Sequence, residues 1–188
     1  MAGAVIPLDL GRWRAEADDV ERGILAAVPD PVLDIGCGPG RIAGALAEAG
    51  RVVLGIDPAP HAVVEAHRRG TPVLQRSVFE PLPAEGRWAT TVLFDGNVGI
   101  GGDPRELLAR VGELLRPGGA AVVEVEAPGT PTEEMVVRLQ RPGRPPSPPF
   151  AWARVGADGI GALMAGAGFV RCRVEAYGSR WFAWATKL

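Results

Sequence analysis

Hydrophobic positions along the chain follow two rhythms. Short apolar runs occur at Val32 to Ile35, Val52 to Ile56, Val73 to Gln75, Thr90 to Phe94 and Ala120 to Glu126. Between them lie longer stretches in which apolar residues recur every three or four positions. The first rhythm predicts buried strands and the second amphipathic helices. One helix is expected over Ala15–Val28, with Val20, Ile24, Leu25 and Val28 on a single stripe and Pro29 and Pro31 stopping it. Others are expected over Arg41–Ala49, closed by Gly50, and over Ala59–Arg69. A further helix runs to Leu115 from Asp103-Pro104, because Asp suits an N-cap and Pro the first turn. Apolar strands alternating with helices predict a doubly wound α/β fold, its parallel sheet covered on both faces.

The rhythm changes after Glu126. Residues 128–151 are rich in proline and read as an insertion or lid, with Met135 to Leu139 able to form an added strand or hairpin arm. One more helix is expected at about Ala157 to Ala167, ended by Gly168. Two strands follow, Val170 to Tyr177 and Arg180 to Thr186, separated only by Gly178-Ser179. So short a connection requires an antiparallel hairpin, since parallel strands need a long crossover. The whole reads as one domain over residues 1–188, with an N-terminal helical segment at 1–30 and a mostly parallel sheet of seven strands.

The sharpest local signal is Val32-Leu33-Asp34-Ile35-Gly36-Cys37-Gly38-Pro39-Gly40. A strand feeding a glycine-rich turn and then a helix lets a ligand approach the backbone closely. It also lies at the carboxyl end of a strand, where open α/β sheets bind ligands. The dinucleotide fingerprint G-x-G-x-x-G fails here, because Arg41 stands where its third glycine belongs. The spacing is G-x-G-x-G, with Asp34 two positions before the first glycine. Asp57 ends the second strand, 21 residues after Gly36, and a carboxylate there can accept hydrogen bonds from ribose hydroxyls.

With this order of features the chain resembles the class I S-adenosylmethionine-dependent methyltransferases from about Pro31 to Leu188. The resemblance implies a Rossmann-like seven-stranded sheet whose last strand is reversed, and S-adenosyl-L-methionine as cofactor. It implies that Asp34 helps to seat the amino end of the cofactor through the loop, and that Gly36, Cys37, Gly38 and Gly40 lie against its methionine and ribose parts. Asp57, followed by Pro58, takes the place of the ribose ligand. Where the family often has an acidic residue near the adenine, this chain has Ser77, which leaves Ser77, Val78 and Phe79 as candidates by position. The turn Arg116-Pro117-Gly118-Gly119 also matches the family and reads as structural.

Candidate chemistry sits in the loop Asp95-Gly96-Asn97-Val98-Gly99-Ile100-Gly101-Gly102 after the fourth strand. Asp95 could orient or deprotonate an acceptor or touch the cofactor, and Asn97 could hydrogen-bond the acceptor. The plainer reading has both residues stabilising turns. Glu126, at the end of the fifth strand, is a third candidate for catalysis, and Glu124 reads as a structural ion-pair partner. His61 and His67 have no ligand-like partners, so no metal site is expected. Trp152 could stack on an acceptor, and Arg141, Arg144 or Arg154 could hold an anionic group; the bland alternative pins Phe150 and Trp152 to the core.

Charge narrows the partners. The formal net charge of −2 lacks the electrostatic footprint of a general nucleic-acid binder, and the loop lacks the N-P-P-Y type tetrapeptide of amino-methylating nucleic-acid enzymes. The chain has no run of ~20 apolar residues and no charged region before its first apolar stretch, so neither a membrane span nor a secretory signal is expected. Cys37 and Cys172 suggest reduced thiols and a cytoplasmic location. The sequence therefore predicts methyl transfer to a small molecule, an anionic one if the late arginines serve it, through oxygen, nitrogen or carbon. A homodimer or partner could complete the site. The alternatives are a non-catalytic S-adenosylmethionine-binding protein and a methyltransferase of RNA or protein.

Overall fold

Asp18 starts the helix that apolar spacing predicts over Ala15–Val28 later than expected. Its carboxylate accepts from Glu21 N at 2.8 Å while Glu21 Oε2 accepts from Asp18 N at 3.0 Å, a capping box that starts a new helix. That helix is α2 (Asp19–Ala26), and a short helix not expected from the spacing, α1 (Leu10–Arg14), precedes it. The D-x-x-E signature of that box lies inside the segment expected to be helical, which masks it. The structure, a computed structural model, describes residues 10–140 and 143–188.

The alternation that follows is β1 (Val32–Ile35), α3 (Arg41–Glu48), β2 (Val53–Asp57), α4 (Pro60–Arg68), β3 (Val73–Gln75) and β4 (Trp88–Leu93). A 3₁₀ turn at Asn97–Gly99 leads to α5 (Pro104–Leu114) and β5 (Leu115–Val125). Asp103 Oδ1 accepts from Arg105 N and Glu106 N, as expected of an N-cap before proline. β5 starts earlier than expected because Leu115 already pairs with Trp88, and the register then shifts before Ala120 pairs with Thr90. The chain continues through β6 (Glu133–Val137), β7 (Phe150–Arg154), α6 (Ala157–Gly166), β8 (Phe169–Tyr177) and β9 (Arg180–Lys187).

Seven strands form one sheet in the order β3-β2-β1-β4-β5-β9-β8. The first five are parallel, whereas β9 runs antiparallel between β5 and β8. Successive residues of the central strands feed opposite cores, as the two-residue period requires. Val32, Val92 and Val122 pack with α2 and α3, and Leu33, Leu93 and Val123 pack with α5 and α6. Burial on both faces explains why these strands read as unbroken apolar runs.

β6 and β7 form a separate antiparallel hairpin that lies against the loop after β4. Trp152 makes an isolated bridge to Ile100. A Cβ on Gly99 would stand 2.0 Å from Ala153 O, and one on Gly102 would stand 2.6 Å from Ala151 Cβ. The two glycines thus permit a backbone approach that a side chain would block. Sequence pattern predicts only a lid or wall at Phe150–Arg154; the prolines before it hide its pairing with β6.

Candidate functional site

The carboxyl ends of β1, β2 and β4 converge on the glycine-rich loop. Gly36 N and Cys37 N donate to Ile56 O at 2.9 and 3.0 Å, tying the loop to β2. Gly38 N donates to Asp57 Oδ2 at 2.9 Å, and Asp57 Oδ1 accepts from Ala59 N at 2.8 Å. Each carboxylate oxygen keeps lone-pair capacity for a ligand, because an ionised carboxylate can accept about four hydrogen bonds. Gly36, Gly38 and Gly40 all have positive φ, at 73°, 54° and 89°. Their surroundings differ. A Cβ on Gly36 would lie 2.6 Å from Asn97 Nδ2, and one on Gly40 2.7 Å from Thr71 Oγ1, whereas one on Gly38 would meet nothing within 4 Å. Gly38 is therefore the point where the loop opens outward.

Asp34 is buried beneath the loop, and its Oδ2 accepts from Ala43 N at 3.0 Å in the first turn of α3. Burial pushes its carboxyl up to about 7, against the lowering effect of that hydrogen bond and of Arg41. A folded carboxyl that holds its proton above the unfolded value of 3.8 adds stability at low pH. That contribution falls as pH rises from about 4 to about 7 and is gone above it. Urea titrations at pH 5 and pH 8 should show this loss in the wild type and a flatter profile in Asp34→Asn. An unchanged difference in the variant would remove Asp34 as its source.

Cys37 turns its side chain inward to Val63, Ala66 and Val73, which leaves only its backbone to face a ligand. Burial raises its thiol pKa, so it stays protonated. A Cβ on Gly55 would stand 2.7 Å from Cys37 Sγ. Pro58 is exposed at the rim. Ser77 is half-buried and its Oγ accepts from Phe79 N at 3.3 Å, so it shapes the turn after β3. Val78 points into the core, while Phe79 is exposed beside Gly101. Arg110 on α5 holds this turn by donating to Val78 O and Glu80 O, both at 3.0 Å.

The loop after β4 holds two of the residues singled out for chemistry. Asn97 donates through Nδ2 to Ile35 O at 3.0 Å and to Gly36 O at 2.9 Å, so its amide group latches the glycine loop. Asp95 takes φ 55°, and its N–H donates to Glu124 Oε2 at 2.7 Å. Its carboxylate is paired with Arg12 (Nε to Oδ1, 3.2 Å) and with Arg41. Glu126 is exposed at the end of β5, held by backbone bonds to Val155 O and from Ala157 N.

Sequence reasoning misses the centre of this arrangement. Glu21 is fully buried and takes Arg12 at 2.7 Å, Arg180 at 3.0 Å and Arg41 on one oxygen. Arg180 also forms a two-point pair with Glu124, at 2.7 and 2.8 Å. Five elements meet here: α1, α2, the start of α3, β5 and β9. Only the structural role of Glu124 is legible in the sequence, because partners so distant along the chain leave no local signal.

The remaining candidates lie apart. His61 and His67 are exposed on α4. Among the described residues no group of three or more His, Cys, Asp or Glu side chains could hold a metal, and no helix is long and apolar enough to cross a membrane. Cys37 and Cys172 are both free thiols. Trp152 is half-buried against Gly99, Phe150 packs edge-on to it at 6.3 Å, and Arg154 pairs with Glu133 at 2.5 Å. Arg144 is exposed, and Arg141 lies outside the described residues.

Comparison with known proteins agrees with the fold. The family model of the methyltransferase domain matches residues 32–119. An uncharacterised 37.1 kDa transposon protein of Streptomyces fradiae is 36% identical over 111 residues, covering 50% of this chain and 29% of its own length. The ubiquinone biosynthesis O-methyltransferase of Roseobacter denitrificans is 37% identical over 106 residues, covering 51% of this chain and 43% of its own. The chain thus spans less than half the length of these curated relatives. Among solved structures, a SAM-dependent methyltransferase of Bacteroides fragilis in complex with S-adenosyl-L-homocysteine aligns with a TM-score of 0.77. It is 24% identical, and the match covers 96% of this chain and 83% of its own. By its sheet order and by the domain matched over residues 32–119, the chain takes its place in fold among the class I S-adenosylmethionine-dependent methyltransferases.

Proposed function

We propose that the chain binds S-adenosyl-L-methionine and transfers its methyl group to a small-molecule acceptor. The observation that carries this reading is the junction of Gly38 and Asp57, where an open glycine backbone and a strand-end carboxylate are joined by one 2.9 Å hydrogen bond. The ribose would take the spare acceptor capacity of Asp57. The methionine part would lie along Gly36, Gly38 and Gly40, and the adenine near Ser77 and the rim at Pro58. Asp34, Cys37 and Val78 act from behind, through the backbone they fix. The small-molecule acceptor is supported by the relative that acts in ubiquinone biosynthesis.

The cofactor, when bound, supplies an activated methyl group, so the protein's work is mainly to align the acceptor with it. Of the three groups read as candidates for catalysis, Asp95 and Asn97 are occupied in holding the loop. Glu126 is exposed and is in no ion pair among the described residues, so it is the carboxylate left to orient an acceptor or accept its proton. The acceptor would lie between the glycine loop and the β6–β7 hairpin, with Trp152 in its wall.

Calorimetric titration tests the reading. S-adenosylmethionine and S-adenosylhomocysteine should bind with micromolar affinity and a nicotinamide dinucleotide should not. Asp57→Ala should weaken both sulfur ligands roughly 10- to 100-fold, the usual range for a hydrogen bond to a charged group. Failure of the wild type to bind either sulfur compound would overturn the proposal.

A further inference from the structure

Glu65 and Arg69 lie on and just after α4, which follows β2, whereas Asp95 follows β4. Between these strands in the sheet stands β1 with its glycine loop. Residues 12–16 are tied to both sides of it. On the β4 side, Arg12 pairs with Asp95 at 3.2 Å and with the buried Glu21 at 2.7 Å. On the α4 side, Arg14 makes a two-point pair with Glu65, at 3.0 and 3.2 Å. Arg69 donates to Arg14 O at 3.2 Å and to Glu16 Oε1 at 3.0 Å. Arg14 and Glu65 also share a cleft of about 330 Å³ with Pro39, which belongs to the glycine loop itself.

From this placement we infer that residues 12–16 form a strap across the methionine end of the cofactor site, and that Asp95 is the positioning residue that anchors its fixed end. The inference rests on the cofactor reading above. It gives Asp95 a role consistent with its geometry. A carboxylate held by two guanidiniums, on a backbone at φ 55° whose N–H donates to Glu124, makes a rigid anchor. The two ends of the strap differ in burial. The Arg12 end joins the Glu21 network, while the Arg14–Glu65 pair is exposed, with 61% and 37% of the side chains accessible. Ligand entry and exit therefore proceed by release of the α4 side, with the Glu21 side acting as the hinge.

The rate of S-adenosylhomocysteine release, followed by stopped flow, tests the strap. Arg14→Ala and Glu65→Ala should each speed release roughly three-fold, as expected of an exposed pair. The double variant should be no faster than either single one. Raising the salt concentration from about 0.05 to about 0.5 M should speed release in the wild type and not in the double variant. Asp95→Asn, which keeps the backbone bond to Glu124, should speed release about ten-fold. Release of adenosine, which lacks the methionine part, should be unaffected throughout. Unchanged release of S-adenosylhomocysteine in the single variants, or an equal acceleration of adenosine, would overturn the strap while leaving the cofactor reading intact. A wild type that binds no S-adenosylhomocysteine would overturn both.

Discussion

Arginine in place of Gly38 is expected to abolish binding of S-adenosylmethionine and S-adenosylhomocysteine while the protein stays folded. A Cβ at this position would have no neighbour within 4 Å, so the new side chain meets no part of the core. Its φ of 54° is the left-handed region, which costs a non-glycine residue about 1–2 kcal/mol. That cost lowers the melting temperature by only a few degrees in a chain of this size. The long side chain instead fills the open side of the loop, where the methionine and ribose are proposed to lie. Gly36→Ala makes the contrast, because its Cβ would collide with Asn97 and disturb the loop itself. Calorimetry and a thermal melt on both variants separate the two effects. Wild-type affinity in a folded Gly38→Arg variant would place the cofactor elsewhere.

Glu21→Gln should be the most damaging single substitution to stability among the charged residues. Glu21 is fully buried and contacts three arginines, of which Arg41 has only 4% of its side chain accessible. Breaking a buried ion pair by neutralising one partner typically costs about 3–5 kcal/mol, because the remaining charge stays buried. The amide keeps the size of the carboxylate, so the effect reports charge and not a cavity. Urea denaturation should show the midpoint falling with little change in slope. Glu65→Gln, which removes an exposed partner, should leave the midpoint nearly unchanged. Equal effects of the two would mean that the buried network does not carry the stability assigned to it.

The contrast between what sequence reveals and what it hides follows the distance between partners. The glycine loop, the Asp103 cap and the antiparallel closing hairpin are legible because each is specified by residues next to one another. The parallel sheet is legible from the two rhythms of apolar residues. Asp95 and Asn97 stand out in the sequence, but their partners come from Arg12, Arg41, Ile35 and Gly36, up to 83 residues away. A loop read in isolation offers its carboxylate to a substrate; the folded chain offers it to two guanidiniums. Arg41 illustrates the point most directly. In the sequence it marks only the failure of a dinucleotide fingerprint, and in the fold it joins Glu21 to Asp95. Phe150–Arg154 escapes recognition as a strand because its partner precedes a proline-rich stretch that carries no regular period.

The insertion of β9 between β5 and β8 has a consequence for biosynthesis. A nascent chain that has emerged as far as β5 has made the five parallel strands, yet one edge of that sheet still lacks its neighbour. Val122 and Val123 on β5 gain their pairing partners Trp184 and Ala183 only when β9 arrives. Until then an apolar strand offers unpaired backbone groups to any other extended chain. Ribosome stalling or premature termination between β5 and β9 would therefore yield fragments prone to aggregate, and holding that edge is the step at which a chaperone would most help this protein.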